Sequence, residues 1–190
     1  PIVTMIRSYN PEIQQLEITF QQKTLPDRNQ EIKKPLHIPI KFEILNAEGK
    51  NITPVNKKLL ELRKEKESFV FKNIPEKSVP SIFRQFSAPV KIQTDLTDEE
   101  LSFLMANDTD EFSRWDAAQN LFVKELKLII NAIQSRKNLS VSKGLVAAFK
   151  KALTDPTRDR ACLAKTLSLP METEIKNHFD LVDVNAINTA

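Results

Sequence analysis

A β-sandwich of about seven short antiparallel strands, followed by an antiparallel array of helices, is the fold this sequence predicts, and three observations predict it. Through residues 1–93 apolar side chains recur with a period of two between segments rich in turn residues. At Leu96-Thr97-Asp98-Glu99-Glu100-Leu101 the pattern changes, because Thr97 and Glu100 form a capping box and Leu96 is placed to staple to Leu101. From there to residue 190 apolar residues recur every three or four positions between capping residues. Two domains are therefore expected, an all-β, immunoglobulin-like sandwich at 1–93 and an all-α array at 94–190.

The clearest strand is Leu36-His37-Ile38-Pro39-Ile40-Lys41-Phe42-Glu43-Ile44, in which Leu36, Ile38, Ile40, Phe42 and Ile44 share one face. Pro39 has no N–H for a ladder, so this strand is expected at an edge, or with that position facing solvent. Leu16, Ile18 and Phe20 alternate with polar residues in the same way, and Phe69-Val70-Phe71 is a further short run. Tyr9-Asn10-Pro11-Glu12 and Asn46-Ala47-Glu48-Gly49-Lys50 carry turn chemistry, and the polar segment from Lys23 to Lys34 reads as a loop. Ile82-Phe83-Arg84-Gln85-Phe86 and Val90-Lys91-Ile92 close the sandwich on either side of Ser87-Ala88-Pro89.

In the second domain, Asp108 or Asp110 opens the longest helix, on which Phe112, Trp115, Ala118, Phe122, Leu126, Ile129 and Ile133 draw an apolar stripe. A third helix starts near Ser142 with Val146, Phe149 and Leu153 on one face, and Asp155-Pro156 is expected to cap a fourth that carries Cys162, Leu163 and Leu167. Pro170 begins a short fifth with Met171, Ile175 and Phe179, and Asp183 starts a sixth. No internal repeat strong enough to predict a solenoid is visible.

Composition excludes several functions. Lys and Arg exceed Asp and Glu by 28 to 25, too small an imbalance for a nucleic-acid-binding face. The lone cysteine, Cys162, rules out an internal disulfide framework and points to a cytoplasmic setting. No apolar run reaches the ~20 residues that span a bilayer, so no membrane segment is expected. The two glycines, Gly49 and Gly144, cannot build a phosphate-cradling loop. Two histidines in different domains and one cysteine fall short of a catalytic zinc site: His37 reads as an exposed strand residue, His178 beside Asp180 as a helix-end residue, and Cys162 as a small buried hydrophobe. The mixed charges from Lys57 to Glu67 read as solvated surface, and Asp95, Asp98, Glu99 and Glu100 as acids complementing a helix dipole. No catalytic residue, metal ligand or cofactor is assigned to this chain.

Successive blocks carry a further signal: Pro35-Leu36-His37-Ile38-Pro39-Ile40, Phe83-Arg84-Gln85-Phe86-Ser87-Ala88-Pro89-Val90-Lys91, Leu101-Ser102-Phe103-Leu104-Met105, and Phe112-Ser113-Arg114-Trp115-Asp116-Ala117-Ala118-Gln119. In order and spacing these resemble bacterial aminopeptidase N, a family of zinc metallopeptidases that remove N-terminal residues from peptides. The resemblance covers the third, β-sandwich domain and the start of the C-terminal helical domain. It implies that zinc and the catalytic residues belong to a domain absent from this chain, and that the chain is a scaffold. The sandwich would link that catalytic domain to helices closing over the active site. The partners implied are the missing catalytic and C-terminal domains of the same polypeptide, with peptides as the parent's substrates. A structural junction is expected at Phe86, Pro89, Trp115, Asp116 and Phe122. Both ends run straight into predicted elements, as in an excerpt of a longer protein. The rival reading is an independent sandwich-and-helix interaction module without enzymatic activity.

Overall fold

Ile38, Ile40, Phe42 and Ile44 are each at most 3% exposed while Pro39 and Lys41 face outward, and this alternation makes Ile38–Leu45 the organising strand of the sandwich. The computed structural model describes residues 1–26, 33–156, 158–179 and 183–190. Within these the first part holds seven strands: β1 (Ile2–Asn10), β2 (Gln15–Lys23), β3 (Ile38–Leu45), β4 (Leu59–Leu62), β5 (Lys66–Phe71), β6 (Val79–Ile82) and β7 (Lys91–Thr94). They form one sheet in the order β5-β2-β1-β7 and another in the order β4-β3-β6. Apolar faces of both sheets make the core, with Val3, Met5, Ile18 and Phe20 from one and Ile40, Phe42, Ile44 and Leu62 from the other. Phe42 of β3 meets Phe71 of β5 with ring centroids 5.0 Å apart, joining the two layers.

Several expectations are corrected. β7 lies parallel to β1, with Ile2 opposite Lys91 and Met5 opposite Thr94, so the sandwich is not wholly antiparallel. Leu36 is 45% exposed and precedes β3, because its backbone N–H and C=O are held by the Gln22 side chain, both at 2.8 Å, instead of by a ladder. Of the two places expected for Pro39 only the edge is excluded, since it lies exposed in the middle strand of its sheet. It is tolerated because β6 pairs with β3 only from Phe42 to Leu45. The Tyr9-Asn10-Pro11-Glu12 turn begins two residues later than expected, at Pro11, since β1 runs through Asn10.

The second part holds six helices among the described residues: α1 (Asp98–Asn107), α2 (Glu111–Gln134), α3 (Lys143–Thr154), α4 (Arg160–Thr166), α5 (Glu172–Lys176) and α6 (Val184–Thr189). Starts follow caps. Thr97 Oγ1 accepts from Glu100 N at 3.2 Å while Glu100 Oε2 accepts from Thr97 N at 2.9 Å, the reciprocal box read in the sequence. Asp110, not Asp108, caps α2, and Ser142 caps α3. Asp155-Pro156 does not start α4: Asp159 accepts from Cys162 N at 2.9 Å and caps that helix, while Asp155 is the C-cap of α3. Asp98, Glu99 and Glu100 occupy the first turn of α1 as expected, but Asp95 instead accepts from Arg7 N at 2.7 Å and Arg7 Nε at 2.8 Å within the sandwich.

α1 packs on α2 and α3, and α2 also meets α4 and α6. Farther along α2, Ile130 forms a small core with Ile175, Ala186 and Ile187. The buried faces match the predicted stripes only in part. On α2 burial centres on Arg114, Ala117, Ala118, Leu121, Phe122 and Glu125, leaving Phe112, Trp115, Leu126 and Ile129 half-exposed. On α3 the small side chains Ala148 and Ala152 go inward with Leu145, while Val146 and Leu153 are 55% and 58% exposed. Small residues let the helix backbones approach closely, and that displaces the bulkier apolar face outward. The contacts divide the chain into two units, Pro1–Leu96 and Thr97–Ala190.

Candidate functional site

Three groupings of side chains stand out, one in the sandwich and two in the helical unit. In the sandwich, the segment after β6 turns back on itself through Arg84–Phe86, where a strand had been expected. Phe83, Gln85 and Phe86 all have left-handed backbones, with φ of 53°, 55° and 53°. Side chains with a Cβ are disfavoured there by about 1 kcal/mol or more each, so surrounding contacts must hold the turn. Phe83 is fully buried, and Arg84 pairs with Glu43 at 3.1 Å and with Ser81 Oγ at 3.1 Å. Ser87 Oγ donates to Pro39 O and accepts from Lys41 N, both at 3.1 Å. One hydroxyl thus serves the side of β3 that β6 no longer reaches, including the position where proline has no N–H to offer. Lys41 Nζ donates to Gln85 Oε1 at 2.8 Å. Phe86 is left 56% exposed at the tip, and Pro89 is exposed just beyond it.

The second grouping surrounds Arg114, which is 1% exposed near the start of α2. Its guanidinium pairs with Glu111, while Nε has no hydrogen-bond partner among the described residues. Asp110 accepts from both Ser113 N (2.9 Å) and Ser113 Oγ (3.0 Å), fixing the turn that aims Arg114 inward. Arg158 spans the neighbouring turns: Nε donates to Asp155 Oδ2 at 2.7 Å, Nη1 to Asp108 O at 2.8 Å and Nη2 to Ala106 O at 3.2 Å. A cation on the last carbonyls of α1 complements the negative end of that helix. Burial, and then repulsion from Arg158, pull the Arg114 guanidinium below its usual range, whereas Asp108 and Asp155 push it back up. The sequence block around Trp115 marks this region, but reading it as an apolar stripe missed the arginine. A charged residue between the stripe positions was the available signal.

The five residues expected at a junction are divided between the units. Phe86 and Pro89 belong to the sandwich, and Trp115, Asp116 and Phe122 to α2. Trp115 is half-buried and stacks at a tilt on Phe112, with ring centroids 5.7 Å apart, and Phe122 is 3% exposed. Asp116 accepts weakly from Asn120 Nδ2 at 3.3 Å. Part of its surface remains open, yet the protein crowding it pushes the carboxyl up to about 6 from 3.8. A raised folded-state value means that Asp116 adds stability below about pH 4 and loses it as pH rises through about 6. At neutral pH its charge is therefore a burden. Asp116→Asn is expected to stabilise the chain by about 1 kcal/mol at pH 7.5, after discounting for partial solvation, and by almost nothing at pH 4. Urea unfolding at both pH values measures it, and an equal gain at each would refute the assignment.

The third grouping is an apolar groove on the helical unit. The faces of α2 and α3 left uncovered meet there, with Phe122, Leu126, Ile129, Val146, Phe149 and Leu153 around a cavity of about 400 Å³. Leu145, Val141, Leu169 and Ala190 complete the apolar wall, and Glu125 and Lys150 are its charged members. Glu125 is already engaged, since one carboxylate oxygen accepts from Ser142 N at 2.8 Å.

The groups weighed for chemistry are scattered. His37 bonds to Glu61 at 2.9 Å on the sandwich surface, lowering the Glu61 carboxyl, and His178 is exposed past α5. Asp180, its sequence neighbour, lies outside the described residues. Cys162 is half-exposed, and its hydrogen bond to the Asp159 carboxylate pushes the thiol up, opposite to the shift that activates a nucleophile. Among the described residues no three of His, Cys, Asp and Glu gather to hold a metal ion, and no helix is long and apolar enough to cross a membrane.

Known proteins give this arrangement a context. Residues 1–95 match the domain of unknown function DUF3458, described as an Ig-like fold, and residues 98–190 match its companion DUF3458_C, described as ARM repeats. The second match describes as ARM repeats a region whose sequence shows no internal repeat strong enough to predict a solenoid. Aminopeptidase N of Escherichia coli K12 is 39% identical over 98% of this chain, and that of Haemophilus influenzae 30% identical over 100%. The crystal structure of Legionella pneumophila aminopeptidase A in complex with aspartic acid superposes with a TM-score of 0.76 at 28% identity, over 98% of this chain and 20% of that one. The chain spans 22% of the length of either aminopeptidase N. With a match to each half and similarity along nearly its whole length, this chain belongs to the DUF3458 family, an Ig-like domain joined to ARM repeats, in the form shared with bacterial proteins named aminopeptidase N.

Proposed function

We propose that this chain is the non-catalytic scaffold section of a zinc aminopeptidase, its sandwich linking a catalytic domain to helices that close over the active site. The observation that carries this reading is similarity along 98% of the chain to a section amounting to only 22% of a protein named aminopeptidase N. Zinc and the peptide-cleaving residues then belong to the remainder of the polypeptide. The donor set agrees with that division: its two histidines lie one in each unit, and these residues do not fit a zinc centre. The remaining domains of the same polypeptide are its partners, and peptides are the substrates of the whole. The single cysteine supports a cytoplasmic setting.

In this role the sandwich supplies stiffness and the helical unit supplies wall. The exposed aromatic surface of Phe86 and the half-exposed pair Phe112 and Trp115 suit contacts with neighbouring domains, and Phe86, Pro89, Trp115, Asp116 and Phe122 are assigned to that junction. Purified 1–190 protein, supplied with zinc and incubated with dipeptides, is expected to release no amino acid, whereas the longer polypeptide releases it. Hydrolysis by residues 1–190 alone, free of contaminating peptidase, would sink the scaffold reading.

A further inference from the structure

We infer that the apolar groove between α2 and α3 is the seat of a further amphipathic helix of the same repeat array, supplied by the remainder of the longer polypeptide; the inference rests on the scaffold reading. Helical repeats cannot bury their apolar faces alone and are stable only when stacked on neighbours. Here that unburied face is well defined. Val146 and Leu153 on α3 are 55% and 58% exposed, two turns apart on one face, and they look across the cavity at Leu126 and Ile129 of α2.

Three observations choose the occupant. The matched family is described as ARM repeats, so the neighbour such a face meets is another helix of the array. The chain spans 22% of its relatives' length, which leaves ample polypeptide to provide one. Ala190 itself lines the groove, so any polypeptide continued from it starts at the groove wall. A small-molecule ligand fits less well. Such sites carry a few convergent polar groups, and here the Glu125 carboxylate is occupied by Ser142 N, leaving Lys150 as the other charged lining group. The docking helix should therefore present large apolar side chains at a spacing of three and four, with an acidic residue toward Lys150.

Thiol accessibility tests this directly. Val146→Cys and, separately, Leu153→Cys are made in a Cys162→Ala background, both in the 1–190 protein and in the longer polypeptide with its other reactive cysteines replaced. Reaction with a disulfide dye is followed in each. Fast labelling in 1–190 and at least tenfold slower labelling of both positions in the longer polypeptide is the expected result. Equal rates in the two proteins overturn the inference while leaving the scaffold reading standing. Slow, concentration-dependent labelling in 1–190 also overturns it, because a second copy would then be the occupant. A stop codon directly after Ala190 and a start directly before Pro1 in the parent reading frame would instead end the scaffold reading itself.

Discussion

Arg114→Ala is expected to cost the helical unit about 3–5 kcal/mol, the range for removing one partner from a buried charge cluster. The side chain is 1% exposed, and Asp108, which is 0% exposed, lies close enough to raise its affinity for a proton. Deleting the guanidinium leaves that carboxylate with one cation fewer in a place water does not reach, and it opens a cavity where the arginine stem had packed. Trp115, the only tryptophan, is the next residue on α2 and reports the transition by its fluorescence in urea. The sandwich holds no tryptophan, so the signal belongs to the helical unit alone.

The size of the loss should depend on charge and not only on volume. Arg114→Met refills the space but leaves the acids uncompensated, and is expected to recover less than half of the loss. Adding Asp108→Asn to Arg114→Met removes an excess negative charge and keeps an oxygen that can accept from Asp110 N, now 2.8 Å from Asp108 Oδ1. The double variant should be more stable than Arg114→Met by at least about 1 kcal/mol, a coupling that a double-mutant cycle measures. A cost below about 1 kcal/mol for Arg114→Ala would mean that Arg158 alone holds these turns together.

The sandwich was legible where one face is buried and the other wet. β2 and β3 follow a strict alternation in the sequence because Ile18, Phe20, Ile40 and Phe42 are each buried on the core face. Leu36 continues the same alternation and leaves the strand, since a glutamine side chain, not the pattern, decides where its backbone bonds go. The helix starts were legible through Thr97, Ser142 and Asp183, whose side chains serve local donors. The buried face of α3 was not, and that of α2 only at Ala118 and Phe122, because periodicity assigns the large apolar residues inward. In α3 close packing admits Ala148 and Ala152 and turns Val146 and Leu153 outward. Of the site, the motifs around Phe83 and Trp115 located the regions. The left-handed turn and the buried arginine depend on long-range partners such as Pro39, Glu43 and Arg158, which no local window contains.

Phe83→Ala is expected to destabilise the sandwich by about 3–5 kcal/mol, the usual cost of emptying a buried phenylalanine site. The residue is 0% exposed with φ at 53°, so its ring must offset a backbone that an L-residue disfavours. Alanine keeps that backbone cost and loses the ring contacts, and the turn holding Ser87 against β3 loosens with it. Faster amide exchange should then appear first at Lys41, whose N–H donates to Ser87 Oγ, and at Glu43 and Ser81, which pair across β3 and β6. Gln85 is the contrast. It shares the left-handed geometry at φ 55° but is exposed, its carboxamide oxygen accepting from Lys41 Nζ at the surface. Gln85→Gly removes the steric cost at the expense of exposed side-chain interactions such as the bond from Lys41, for a net gain of up to about 1 kcal/mol. Opposite signs at two residues of one turn would separate the strain of the backbone from the packing that holds it. A loss at both positions would show that the Lys41 bond, not the buried ring, keeps the turn closed.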